Sequence, residues 1–120
     1  MAFLRFAILV LLAVLLHVIL SWEWTWAAGL VAGLTVPRRG WLLGLLVVGS
    51  DWLLLILFNY ASDARAMSAM TSAMGDLLGN LPSVVIVAIT LLIGCILGFL
   101  GGATGAQLRR LIRSRRPAPT

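Results

Sequence analysis

WLLGLLVVGSDWLLLILFNY, residues 41–60, decides how the rest of this sequence is read. A run of about 20 apolar residues rising 1.5 Å each covers the ~30 Å hydrocarbon core of a bilayer. Yet Asp51 stands near its centre. A charge at that depth costs about 2.5–3.5 kcal/mol on insertion scales, so membrane helices keep one for a reason. The other segments bear on where this helix sits and what meets Asp51.

The chain as a whole agrees with a membrane reading. It has 120 residues, 62% of them hydrophobic, and a mean hydropathy of +1.08. A soluble domain of that length cannot hide so much apolar surface. Nine basic residues, all arginine, oppose four acids, for a net charge of +5. The arginines cluster beside apolar segments, which points to a lipid surface and away from nucleic acid. Cys95 is the single cysteine, so an internal disulfide is excluded. With no zinc-type Cys/His cluster, phosphate-binding loop or Ser/His/Asp set, the expectation is a non-enzymatic protein without metal or cofactor.

Working outward, residues 4–22 read as a first span, with Arg5 at its start and His17 its one interruption. Ser-Trp-Glu-Trp-Thr-Trp, residues 21–26, places three indoles around Glu23, as expected of a turn at headgroup level. Residues 24–37 form a second apolar stretch, short for a span at about 20 Å. If it returns across the bilayer, Arg5, Arg38, Arg39 and the arginines from Arg109 onward share one side, as the positive-inside rule requires. Pro37 and Gly40 then bound a tight hairpin.

Residues 41–60 make the third span. Residues 62–79 carry Met67, Met70 and Met74 at helical spacing, an amphipathic pattern that suggests a short interfacial helix in the outer loop. Thioethers also suit Cu(I), but methionine at this spacing reads first as packing. Residues 82–108, uncharged after Pro82, form a long fourth span, and 109–120 a basic cytoplasmic tail. The expected fold is an all-α integral membrane protein: four transmembrane helices in one bundle over residues 1–108, both termini cytoplasmic, in the cell membrane.

Small residues let membrane helices approach backbone to backbone. Gly29 and Gly33 in the second span, Gly44 in the third, and Gly94, Gly98, Gly102 and Gly105 in the fourth are the candidate packing positions. Arg38, Arg39, Arg109, Arg110, Arg113, Arg115 and Arg116 are the candidate contacts to anionic headgroups.

Helix rise places Asp51 roughly 15 Å from the cytoplasmic edge, His17 about 18 Å in, and Thr90 about 12 Å from the outer face. These depths suggest an interior polar cluster of Asp51 and His17 with Ser50 or Thr90. The cluster reads either as a structural lock or as a proton- or ion-handling site, since intramembrane acids and histidines recur in such pathways.

Length and four-span plan resemble the small multidrug-resistance transporters. Those carry their essential glutamate in the first helix, where this chain has His17. Gly-Gly-Ala-Thr-Gly-Ala-Gln-Leu-Arg-Arg, residues 101–110, is similar to the glycine-rich, arginine-ended signature of the small fluoride channels. There it belongs to the first helix and here to the last. No functional residue transfers from either. The leading expectation is a membrane protein that self-associates, as a homo-oligomer, or serves as an accessory subunit of a larger complex. A small proton- or ion-coupled transporter or channel using Asp51 and His17 is the alternative, and a holin-like pore former the third.

Overall fold

The computed structural model describes residues 1–36 and 38–115. The expectations for Pro37, Arg116 and the Pro-Ala-Pro-Thr end fall outside them. Five α-helices follow one another: α1 (Ala2–Ile19), α2 (Thr25–Thr35), α3 (Gly40–Ser62), α4 (Ala64–Leu77) and α5 (Ser83–Ser114), with a 3-10 turn at Trp22–Trp24 between the first two. No strand occurs among the described residues. Three helices are long and apolar enough to cross a membrane: α1, α3 and α5. The expected span over 24–37 is shorter, because α2 has 11 residues and rises about 16 Å.

Boundaries have local causes. α1 stops at Ile19 because Ser21 takes φ 139° and ψ 166°, a left-handed conformation for which only glycine is well suited. The Asp63 carboxylate accepts from Ala66 N–H at 2.9 Å and caps the start of α4, satisfying one of the donors a helix leaves open there. At the other end of α4, Gly79 and Asn80 have φ 98° and 62°, and Leu81 N–H donates to Gly75 O at 3.0 Å. That is the left-handed closure expected at a helix C-terminus. α5 runs past Leu108 to Ser114, so Arg109, Arg110 and Arg113 of the basic stretch are helical.

Helix directions follow from the backbone contacts. Gly44 lies on Gly98 and Gly40 on Gly102, so α3 and α5 run antiparallel; Gly29 lies on Gly98 and Gly33 on Gly102, so α2 runs parallel to α5. α1 folds back into α2 and therefore runs beside α3 in the same direction. Arg5, Arg38, Arg39 and the arginines of α5 consequently gather at one end of the molecule, and α4 lies at the opposite end.

The core is thin and made of small side chains. Ala13 of α1, Ala28 and Ala32 of α2 and Val47 of α3 are fully buried, with Leu9 and Val10 beside them. Added methyl groups show how close the helices are. At Gly33 one would overlap the Gly102 carbonyl oxygen; at Gly44, that of Gly98; at Gly101 and Gly105, those of Trp26 and Leu30. At Gly94 it would meet the Trp52 ring. Dispersion falls off steeply with a gap, so such contact is where membrane helices find their attraction.

Candidate functional site

Asp51 is fully buried, and its Oδ2 lies 3.1 Å from His17 Nδ1. The two residues come from neighbouring parallel helices. One turn nearer the arginine end, Ala13, Val47 and Val48 are fully buried and close the floor beneath the pair. The second carboxylate oxygen, Oδ1, is buried with no hydrogen-bond partner. Buried side-chain polar atoms are normally paired, and an orphaned one costs about 1–3 kcal/mol.

His17 is placed differently. Its side chain is 21% exposed, against 0% for Asp51. The imidazole forms part of the wall of a cavity of about 380 Å³ shared with Trp22, Trp52 and Ile93. The imidazole thus stands between open space and a sealed carboxyl group.

Two tryptophans frame the histidine. The Trp52 and His17 rings lie 5.4 Å apart and tilted by 54°, and Trp22 meets Trp52 edge-on at 6.3 Å. Trp52 Nε1 donates to Thr25 Oγ1 at 3.4 Å. The Thr25 hydroxyl donates in turn to Trp22 O at 2.7 Å. This chain ties the α1–α2 turn to α3 next to the pair. Tryptophan read as an interface marker hides this role. The available signal was that Trp52 sits inside a span, where a buried indole N–H needs a partner.

Of the four candidate site residues, His17 and Asp51 come together, while Ser50 and Thr90 do not join them. The Thr90 hydroxyl donates to Ile86 O at 2.9 Å within its own helix, the usual resort of threonine in a helix without a polar neighbour. Ser50 instead borders apolar surface grooves with Val14 and Leu54 on one side and with Gly49 and Cys95 on the other. Rotation about the helix axis separates it from Asp51 although the two adjoin in sequence.

Asp51 lies midway along α3, roughly 16 Å from its start at Gly40, but the helices around it differ in reach. α1 ends two residues beyond His17, whereas α3 continues over residues 52–62, roughly 16 Å farther. Gly94, level with Trp52, has a comparable length of α5 above it. The pair therefore lies at a shoulder, where the short α1–α2 hairpin stops against the longer α3–α5 pair.

Among the headgroup candidates, Arg109 faces inward. Its Nη1 donates to Leu34 O at 2.6 Å and Thr35 O at 2.7 Å, closing the end of α2. Arg38, Arg39, Arg110, Arg113 and Arg115 are exposed at the arginine-bearing end. Met70 and Met74 of α4 are exposed, while Thr71 and Gly75 are buried against the neighbouring helices. Among the described residues no three His, Cys, Asp or Glu side chains converge as a metal site would require.

Fold and site together define the class: an all-helical protein with three helices fit to cross a membrane and a buried acid–imidazole pair at the shoulder of the bundle. No family model, curated protein or solved structure matches the chain.

Proposed function

We propose that the chain is a small, non-enzymatic multi-pass membrane protein that handles protons at Asp51, with His17 as the relay between the carboxyl group and the outer solution. The reading has four passes, through α1, α2, α3 and α5, with both termini cytoplasmic in the cell membrane and α4 on the outer face. Arginine at one end of every helix pair supports that orientation. The shortness of α2 is met by Arg109 at its inner end and by the indoles of Trp22, Trp24 and Trp26 at its outer end, with local thinning of the bilayer.

One observation carries the proton reading over the lock: the unpartnered Oδ1 of a fully buried Asp51 whose other oxygen is held by a histidine lining an open cavity. A carboxyl group kept only to fix the bundle gains most with both oxygens satisfied, because a half-satisfied buried network is worse than none. A group that must gain and lose a proton needs a free oxygen and a route to water. The packed floor of Ala13, Val47 and Val48 means that exchange in this conformation is from the outer side. Passage onward requires the α1–α2 hairpin to move, which makes the chain a component of a transporter or channel that alternates.

The test is proton flux into liposomes carrying a pH-sensitive dye. Asp51→Asn should lower flux at least about tenfold, the loss expected of a removed proton carrier, and His17→Gln should slow it with the carboxyl still titrating by infrared difference spectroscopy. Flux equal to wild type in Asp51→Asn, together with lower thermal stability, would return the pair to a structural lock.

The apolar groove of about 500 Å³ between α1 and α3, lined by Phe3, Phe6, Val10, Val14, Leu53 and Leu54 among others, favours a second reading, an accessory subunit. A helix of a larger membrane complex or a second copy would fill it. The glycine faces supply no such surface, since they are spent inside the chain.

A further inference from the structure

The cavity beside His17 holds about 380 Å³, inside the range of about 300–1,000 Å³ typical of small-molecule sites. Its walls are His17 from α1, Trp22 from the α1–α2 turn, Trp52 from α3 and Ile93 from α5. Three of these are rings, and they make the sides of a corner, not a stack. Trp22 meets Trp52 at 84°, and Trp52 meets His17 at 54°. Trp52 is 8% exposed and Trp22 49%, so Trp22 is the ring with surface still to be covered.

Charge fixes what suits that corner. An indole face carries the negative part of the ring quadrupole and attracts a cation within about 6 Å. The Asp51 carboxyl lies one imidazole away, with Oδ2 at 3.1 Å from His17 Nδ1 and Oδ1 unpartnered. Glu23 is exposed on the same turn as Trp22. Asp63 and Arg65 stand beyond the outer end of α3, roughly 16 Å farther out. A small metal ion keeps its water against apolar walls, whereas an alkylammonium carries its charge beneath carbon, the form that aromatic cages recognise. We propose that the corner of Trp22, Trp52 and His17 binds an organic ammonium ion, which competes with the proton on the Asp51–His17 pair. Like charges this close in a site of low dielectric repel, so uptake of the cation releases a proton and affinity rises with pH. The competition rests on the proton reading of the pair; the cage does not, so the two can fail separately.

Tetraethylammonium is titrated into the full chain in mild detergent by calorimetry at several pH values, with buffers of differing ionisation heat to count released protons. One site should appear, its affinity rising by up to about tenfold per pH unit while the pair titrates. Trp22→Leu should weaken binding about fivefold, and Trp22→Phe should restore most of it. The Thr25 hydroxyl holds this turn through the Trp22 carbonyl, so either ring change leaves that bond in place. In both variants Asp51 should titrate as before by infrared difference spectroscopy. Asp51→Asn should remove the pH dependence, and Glu23→Gln should leave it. No binding, or binding indifferent to Trp22→Leu, would overturn the cage and leave proton flux through Asp51 standing. Binding at Trp22 without proton release would overturn the competition, and wild-type flux in Asp51→Asn would show that the proton reading fails with it. Equal loss from Glu23→Gln would mean diffuse attraction and overturn the site. Phosphatidylcholine offers the same ammonium chemistry. Displacement of tetraethylammonium by that lipid, and not by phosphatidylglycerol, would overturn the free cation in favour of a headgroup.

Discussion

The Trp52 indole touches two systems at once, standing over His17 with its ring and donating its N–H to Thr25. In a protein interior the donor and acceptor of such a bond depend on one another, because neither finds water when the other is removed. Trp52→Phe and Thr25→Val should each cost about 1 kcal/mol, and the double variant less than their sum. Unfolding in mixed micelles measures this. Full additivity would mean that the 3.4 Å contact does not stabilise the fold. Ser21 is the other residue with a local cost. Its φ of 139° is a glycine conformation, so Ser21→Gly should stabilise by about 1 kcal/mol, read as a higher melting temperature. A lower one would show that the side chain supports the turn. At this scale the sequence was half legible. Asp51 and His17 stood out because charge and imidazole are rare in apolar runs. Trp52 and Thr25 did not, because a tryptophan and a threonine near a turn have ordinary explanations. Ser50 was drawn in by depth, which ignores the direction a side chain leaves its helix, and Thr90 by depth together with its four-residue spacing from Gly94, which fixes a face of α5 but not a partner for the hydroxyl.

Among the elements, α5 is the common wall. Gly98 and Gly102 take the backbones of both α2 and α3, while Gly101 and Gly105 lie under Trp26 and Leu30 of α2 alone. The spacing of these glycines was readable and pointed to close packing. Whether they face the same chain or a second copy depends on the rotation of each helix, which no single-sequence period encodes. α2 shows the same limit. Its length was visibly inadequate, but the means by which it is held, Arg109 on the carbonyls of Leu34 and Thr35, joins segments 74 or 75 residues apart. The last carbonyls of a helix have no partner within it. Arg109→Gln should therefore speed hydrogen exchange in the last turn of α2 by about tenfold, the equivalent of losing about 1.4 kcal/mol of capping. Exchange in the middle of α3 and α5 should stay as it was. Uniform acceleration across all helices would instead make Arg109 a support of the whole bundle.

For the whole molecule the decisive quantity is the difference in length between its two helical hairpins. α1 and α2 stop at the level of Trp52, and α3 and α5 continue to α4, within a body about 65 Å long. In a bilayer of uniform thickness the α1–α2 turn would lie below the outer surface, and Glu23 with it, unless water or thinned lipid reaches down to the shoulder. That is also the route by which His17 would meet the outer solution. Single cysteines in a Cys95→Ser background test this in sealed, oriented vesicles. Cysteine at Arg39 and at Ser114 should label only from the inner side, and cysteine at Ser72 only from the outer side. Cysteine at Glu23 should label from the outer side as well, and as fast as Ser72, since an open shoulder leaves the turn wet although it lies deeper. Labelling of the Arg39 position from the outer side would make α2 re-entrant and remove one pass. Slow labelling at Glu23 with the others as expected would keep four passes but seal the shoulder. Asp51 would then lose its path to water, and the lock would again be the better account of the pair.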